Sequence, residues 1–267
     1  MDKLKFETPD MVSGNIDKIA VLFPSAITEM RGEDGEIKRG VNFEVLKQLL
    51  SRDVVDGDEC YEFTWVGKKA AMAEAARPIT KTLRPVKEDS RDWDTTENLY
   101  IEGDNLEVLK LLQESYLGKV KMIYIDPPYN TGHDFVYNDN FVMSKDKYDD
   151  LSGRIDDDGN ISRRENNTSN PQFHSDWCSM IYSRLLLARN LLSEDGVIFI
   201  SIGEEEIQVL KTICNETLGE QNFRNAITVR RFDKNLSLQF AEQGLPSMSV
   251  GYEYILMYSK TTTSKFN

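Results

Sequence analysis

Val120-Lys121-Met122-Ile123-Tyr124-Ile125-Asp126-Pro127-Pro128-Tyr129 is an apolar run that stops on an acid and two prolines. Its length and its β-branched and aromatic residues predict a β-strand over 120–125. Proline donates no backbone hydrogen bond and fixes φ, so the strand ends where Asp126 begins. On the N-terminal side, Asp104 to Tyr116 predicts a helix with Leu106, Leu109 and Leu112 on one face, and Leu99-Tyr100-Ile101 a short strand. On the C-terminal side, residues 144–171 are polar and rich in Gly, Asn and Asp, the composition of a long mobile loop. Phe173 to Leu192 then predicts a long helix with Trp177, Ile181, Leu185 and Leu192 among its apolar positions. Ser193-Glu194-Asp195-Gly196 turns it into a strand over 197–202. Glu204 to Cys214 predicts another helix, and Ala226–Val229 and Tyr254–Tyr258 two further strands. Alternating strands and amphipathic helices predict an α/β fold with a mostly parallel sheet covered on both faces. Ligands on such sheets bind at the carboxyl ends of the strands, where Asp126 falls.

The region before this pattern reads differently. Residues 8–55 predict a small helical region. Ile16, Ile19, Ala20 and Phe23 recur at helical spacing after Asn15, a plausible N-cap, and Pro24 ends the pattern. Phe43, Leu46, Leu49 and Leu50 mark a second amphipathic helix, with the polar loop Arg31-Gly32-Glu33-Asp34-Gly35-Glu36 between the two. Ala70–Ala76 is helix-prone, and Pro78 and Pro85 break it. Residues 78–96 form a charged connector, which puts a domain boundary near residue 90: 1–90 is the N-terminal region and 91–267 the catalytic part.

Bulk composition narrows the function classes. The chain has 267 residues, 40% hydrophobic and 29% charged, enough to bury a core. No run of about 18 apolar residues predicts a membrane-spanning helix, and Met1-Asp2-Lys3-Leu4-Lys5-Phe6 has no signal-type apolar core. Cys60, Cys178 and Cys214 are scattered, with no CxxC pair, which argues against zinc and disulfides and for a reducing cytoplasm. His133 and His174 are the only histidines, too few for a histidine-based metal site, and read as polar surface or loop residues. The net charge of −13 has the wrong sign for a self-sufficient nucleic-acid binder, so the main DNA-gripping surface belongs elsewhere.

The tetrad Asp126-Pro127-Pro128-Tyr129 suits one chemistry. An exocyclic amino group of a base is a poor nucleophile because its lone pair is delocalised into the ring. Acceptors for both N–H groups localise that pair and aim it at an electrophile. Asp126 offers a charge-assisted acceptor, and the Pro127 carbonyl a second. Consecutive prolines hold both oxygens on a stiff loop, and Tyr129 offers a flat face for a flipped-out base. The bland alternative is a strand-ending Asp, a rigid turn and a packing Tyr. Two other acidic segments have simpler readings. Asp104 with Glu107 fits a capping box at a helix start, and Gly203-Glu204-Glu205-Glu206 fits the solvated first turn of a helix.

Taken together, these residues resemble the DNA amino-methyltransferases that use S-adenosylmethionine (SAM), and in motif order their beta group. Thr95-Thr96-Glu97-Asn98-Leu99-Tyr100-Ile101-Glu102-Gly103-Asp104-Asn105-Leu106-Glu107-Val108-Leu109-Lys110, followed by Lys119 to Gly132, is similar to the modification (Mod) subunit of type III restriction-modification systems. Thr8-Pro9-Asp10, Leu22-Phe23-Pro24, the Trp65…Lys68 segment and Thr82-Leu83-Arg84-Pro85 fit the same subunit, so the resemblance covers nearly the whole chain. It implies a Rossmann-like methyltransferase sheet and methyl transfer from SAM to adenine N6 in double-stranded DNA with the target base flipped out. The catalytic residues would be Asp126, Pro127, Pro128 and Tyr129, with Tyr129 stacking on the base. Asp104 and Asp126 would bind the cofactor, Asp104 at its adenosine or amino-acid end. A Mod homodimer and a restriction (Res) subunit are the implied partners. Asp at the first tetrad position favours adenine. Cytosine-N4 enzymes usually carry Ser there and glutamine methyltransferases Asn, which leaves RNA or protein amino groups as weaker readings.

One feature departs from the resemblance. The family's Phe-x-Gly-x-Gly cofactor loop and its target-recognition region come late in the chain, and neither is found in these 267 residues. The expectation is an N-terminal part of a longer protein, inactive by itself; the alternative is a truncated remnant that at most pairs with a full-length copy or with the restriction subunit.

Overall fold

The computed structural model of the chain describes residues 8–32, 35–50, 61–132, 135–136, 164–166, 168–169, 171–230 and 251–265. The chain divides into two compact units. One holds Met1–Phe63 and Ala76–Glu102, the other Thr64–Ala75 and Gly103–Asn267. The division thus falls at Gly103, against the sequence boundary near residue 90, and residues 64–75 go with the second unit.

In the first unit, α1 (Met11–Leu22) starts one turn earlier than Asn15 suggests. Asp10 is the N-cap, and its carboxylate accepts from Val12 N at 2.9 Å and Ser13 N at 3.3 Å. A short 3₁₀ turn, Pro24–Ala26, leads into strands β1 (Ile27–Arg31) and β2 (Ile37–Val41). They pair antiparallel from Ile27↔Val41 to Arg31↔Ile37, and α2 (Phe43–Leu50) follows. This hairpin corrects the all-helical reading of 8–55. Between the strands Gly32 N donates to the Glu36 carbonyl at 2.8 Å and Gly35 lies in the left-handed region (φ +80°), so the described ends of the predicted polar loop close the hairpin. Its strands are mostly exposed on both faces, so no apolar alternation marked them. Leu99-Tyr100-Ile101 is not a strand; these residues are irregular, with Leu99 71% and Tyr100 90% exposed. A strand needs a ladder partner, and the described residues offer none there.

The second unit begins with α3 (Lys68–Ala76), whose last residue marks the return to the first unit. α4 (Asn105–Tyr116) precedes β3 (Val120–Ile125). β4 (Phe135–Val136) and β5 (Arg164–Glu165) form a small antiparallel pair. Most of the predicted 144–171 loop lies outside the described residues. α5 (Phe173–Leu191) runs directly into β6 (Leu192–Ile202), and α6 (Ile207–Cys214), β7 (Phe223–Arg230) and β8 (Tyr252–Ser259) complete the unit. The main sheet has the order β3-β6-β8-β7. Only β3 and β6 are parallel, while β8 is antiparallel to both β6 and β7. The α/β fold class stands, but the sheet is mixed rather than mostly parallel. Local pattern discloses that a strand exists, whereas its direction depends on whether a crossover helix or a return segment joins the pair.

α5 is the crossover of the β3–α5–β6 unit and is buried nearly all round, with Trp177 and Leu185 fully inaccessible. On β6 and β8, Ile198, Ile200, Ile202, Leu256 and Tyr258 are all at 0% exposure. The Tyr258 hydroxyl, beside Ile198 in the register, donates to Asn215 Oδ1 at 2.7 Å just after α6, which places α6 over that face. The predicted turn at 193–196 survives as a departure from the ladder. The register jumps from Val120↔Leu192 to Met122↔Val197. A Cβ on Gly196 would stand 2.8 Å from the Ser193 carbonyl oxygen, so the kink needs glycine.

Candidate active site

β3 delivers its C-terminal end to the same edge as the C-terminal end of β6, because the two strands are parallel and adjacent. Asp126 follows Ile125 and is exposed. Pro127 and Pro128 are half-buried. The Pro128 carbonyl is already engaged: the Trp177 indole donates to it at 2.7 Å from the buried wall of α5. Pro127 carries no hydrogen-bond partner among the described residues. The loop thus spends one carbonyl on its own anchoring and leaves the other beside the exposed Asp126 carboxylate.

Tyr129 is half-buried and its hydroxyl donates to Glu253 Oε2, on β8, at 3.3 Å. Burial, with the Asp126 and Glu253 carboxylates adding to it, pushes the phenol up to about 12, so Tyr129 stays protonated through neutral pH. One edge of the ring lies against the backbone at the end of β6. A Cβ on Gly203 would stand 3.1 Å from Tyr129 Cδ2 and 2.5 Å from Glu205 Oε2. Gly203 is therefore a site residue that the sequence reading passed over. Tyr124 on β3 is tied to β6 by a 2.5 Å hydrogen bond between its hydroxyl and Ser201 Oγ.

Asn130, directly after the tetrad, has φ +62° and is 2% exposed. A left-handed non-glycine residue is uncommon, and Asn is among the side chains that tolerate it. Its amide is held at both ends. Nδ2 donates to Glu206 Oε1 at 2.7 Å, and Oδ1 accepts from Asn166 Nδ2 at 2.8 Å. Asn166 also donates to the Phe173 carbonyl at 2.7 Å. His174 Nδ1 lies 2.6 Å from the same Glu206 oxygen, while most of its ring is exposed. This corrects the solvated reading of Gly203–Glu206: Glu204 and Glu205 are exposed, but Glu206 is at 1%. A signal was present. Glu206, Leu210 and Ile213 stand at i, i+4 and i+7, so helical spacing puts Glu206 on the face that α6 buries.

Asp104 sits on a separate element. It is the N-cap of α4 and accepts from Glu107 N at 3.0 Å through Oδ1. Its second oxygen has no partner among the described residues, and it shares no hydrogen bond with the tetrad. The α4 start is pinned by Arg184, 8% exposed, whose Nε donates to Asn105 Oδ1 at 2.7 Å. Lower down, Lys110, 3% exposed, pairs with Glu74 at 2.8 Å, and Gln113 donates to the Leu187 carbonyl at 3.2 Å. Asp104 is thus a cap on a rigidly held helix with one acceptor to spare.

The chain is similar to several curated Mod subunits. The EcoP15I Mod subunit of a type III restriction-modification enzyme from Escherichia coli is 39% identical over 220 residues, which is 81% of this chain and 33% of that protein. The EcoPI Mod subunit from Escherichia phage P1 is 38% identical over 219 residues, again 81% and 33%. The StyLTI Mod subunit from Salmonella typhimurium is 35% identical over 235 residues, 86% and 35%. The chain spans about a third of the length of these curated relatives. Among solved structures, the cytosine-N4-specific PvuII DNA methyltransferase aligns with a TM-score of 0.36 at 13% identity, covering 59% of this chain and 48% of that one. The M1.HpyAVI–SAM complex aligns at 0.31 and 14%, covering 62% and 55%. The sequence pattern of the N6/N4 DNA methylases, described as DNA methylase, matches residues 120–267, from the first residue of β3 onward. With more than half of its length matched, tetrad included, the chain belongs to the N6/N4 DNA methylase family.

Proposed function

We propose that these residues are the catalytic part of a type III modification subunit that transfers a methyl group from SAM to adenine N6 in double-stranded DNA. The observation that carries the reading is the division of labour at the tetrad. Trp177 occupies the Pro128 carbonyl, while the Asp126 carboxylate is exposed and the Pro127 carbonyl unengaged. Those two oxygens suit the two N–H groups of an exocyclic amine. Of the two, the Asp126 carboxylate supplies the stronger acceptor. Tyr129, kept neutral, supplies a stacking face rather than a second anion.

The residues present also fit part of a SAM site. The cofactor's amino groups and ribose hydroxyls are hydrogen-bond donors, and Asp104 keeps one carboxylate oxygen unpartnered at a half-buried helix start. Asp104 and Asp126 would hold it, and when bound it supplies an electrophilic methyl group on sulfur. The relatives are Mod subunits of type III restriction-modification enzymes, and with that reading we propose a second copy of the chain and a Res subunit as partners and a cytoplasmic setting. No described helix is long and apolar enough to cross a membrane.

A second expectation follows from coverage and from β3. Among the described residues the strand has one ladder neighbour, and Met122 and Tyr124 are 60% and 56% exposed. We propose that the rest of the cofactor pocket lies outside these 267 residues. Calorimetry with SAM tests this on the 267-residue chain beside a longer protein that contains it at the length of the relatives. Binding near micromolar Kd, about −8 kcal/mol, is expected for the longer protein alone. Equally tight binding by the short chain would overturn the split pocket. Mass spectrometry of nucleosides from DNA treated with the longer protein should show N6-methyladenine; N4-methylcytosine, or no methylated base, would overturn the reaction.

A further inference from the structure

Two restraints bracket Tyr129. On one side the Trp177 indole fixes the Pro128 carbonyl. On the other, Asn130 is locked into a left-handed turn by a buried side-chain network that ends on Glu206. We propose that Glu206 is a positioning residue for the target-base site: it holds Asn130, and through Asn130 the backbone that sets the Tyr129 ring. The inference rests on the proposed methyl transfer for its activity readout only.

Three observations converge on Glu206. First, it is expensive. It is 1% exposed, and its Oε2 is buried with no hydrogen-bond partner among the described residues. An apolar residue would fill this position without burying a carboxylate, so the retained acid points to a task that needs an acceptor. Second, its hydrogen bond lands on the one residue of the loop with a disfavoured backbone. Asn130 needs φ +62°, and such strain persists only where the surroundings over-determine it. Donation from Asn130 Nδ2 to Oε1 at 2.7 Å is charge-assisted and fixes which way the amide faces, because Asn166 donates to the opposite end at 2.8 Å. Third, one edge of the Tyr129 ring has little slack against the end of β6. Gly203, three residues before Glu206, lies so close to Cδ2 that a Cβ there would be at 3.1 Å. A shift of the turn at Asn130 therefore moves the ring either into the end of β6 or away from it. α5 serves both restraints, Trp177 directly and His174 through Glu206 Oε1 at 2.6 Å.

The network makes a prediction that simple packing does not. Asn130→Asp removes the amide donor and sets a second carboxyl group against Glu206, so the Nδ2–Oε1 hydrogen bond is lost. Adding Glu206→Gln reverses the polarity: the new amide at position 206 donates, and the new carboxylate at position 130 accepts from it and from Asn166. The experiment uses the longer protein containing these residues and reads hydrogen exchange of the amides of Tyr129 to Gly132, methyl transfer to DNA, and SAM affinity. For Asn130→Asp, exchange at 129–132 is expected to quicken roughly tenfold. kcat should fall on the order of 100-fold, the cost of a misplacement near 1 Å, with SAM affinity unchanged. The double variant should recover most of both losses. Unchanged exchange and turnover in Asn130→Asp, or exchange in the double variant as fast as in the single one, would overturn the proposal. If Asn130→Asp fails to fold, Glu206→Met, which fills the position but accepts no hydrogen bond, is read instead. Faster exchange confined to 129–132 supports the role, and exchange equal to that of the unsubstituted protein overturns it. If the unsubstituted protein transfers no methyl group to DNA, the proposed reaction falls, while the exchange comparison still decides the role of Glu206.

Discussion

β3 and the 197–202 part of β6 are parallel neighbours of similar apolar composition, yet among the described residues one is a half-exposed margin and the other is mostly buried. Val120–Ile125 leaves Met122 and Tyr124 more than half exposed, whereas Ile198, Ile200 and Ile202 are at 0%. The difference comes from neighbours. β6 has β3 on one side and β8 on the other, while among the described residues β3 pairs with β6 alone. Their C-terminal loops inherit the contrast. β3 ends in an exposed acid, Asp126, and β6 leads to a buried one, Glu206. An exposed carboxylate can meet a substrate; a buried one can hold a loop in place. Substitutions on the two strands should therefore separate chemistry from stability.

The largest effect belongs to Asp126. Asp126→Ala in the longer protein should reduce methyl transfer on the order of 10³-fold, as for loss of a group aimed at the reacting atoms. That equals about 4 kcal/mol of barrier. Its thermal midpoint should hardly move, because Asp126 is exposed and the loop is anchored instead through Pro128 and Asn130. Near-normal turnover, measured as methyl incorporation into DNA, would remove the central assignment.

Ile200→Ala on β6 is the converse. It empties a fully buried position opposite Ile125 and Leu256. We expect a loss of about 3 kcal/mol in a urea titration, from lost burial plus the cavity. A shift below about 1 kcal/mol would mean that the site collapses around the smaller side chain, and that β6 is less rigid than its burial implies.

Smaller again is the Tyr129 pair. Tyr129→Ala should weaken binding of DNA carrying the flipped base by about 1–3 kcal/mol, the range of base–aromatic stacking, and Tyr129→Phe by clearly less. Phe keeps the ring and gives up the hydroxyl, whose contact to Glu253 is a long 3.3 Å. Equal losses in both would make the hydroxyl, not the ring, the working part. The phenol's elevated ionisation, near 12, also fixes the alkaline behaviour. The folded chain keeps this proton above pH 10, where an unfolded tyrosine releases it. Its stabilising share is therefore constant below pH 10 and falls away as pH rises towards 12. Tyr129→Phe should flatten that part of the stability profile in an alkaline unfolding series.

The same contrast explains what was legible in the sequence. Apolar runs at strand length disclosed β3, β6, β7 and β8, and helical spacing disclosed α4 and α5. The tetrad stood out because two prolines after a strand are a local event. The β1–β2 hairpin did not, since mostly exposed strands carry no alternation. Leu99–Ile101 looked like a strand because three apolar residues do not say whether a partner exists. The direction of β8 was hidden for a related reason, as strand pairing is a property of the whole sheet. Asp104 was legible twice over, as a cap and through the resemblance, and the structure displays the cap. Glu206 was misread because acids at a helix start usually face solvent; only its spacing from Leu210 and Ile213 set it apart from Glu204 and Glu205.

Met122 is where the contrast between the strands can be sharpened with the smallest change. Met122→Lys adds a charge to the exposed face of β3, beside Lys121, which is itself paired with Asp195. In the 267-residue chain the cost should stay within about 0.5 kcal/mol, as for surface substitutions in general. Self-association should also fall, because charge on an open edge discourages strand addition. In the longer protein the outcome depends on what the additional residues do. If they cover β3, the lysine enters a dry interface and the same substitution destabilises by several kcal/mol. If it remains silent in both, β3 is a true margin of the sheet, and the split cofactor pocket must be completed from some other side of Asp126.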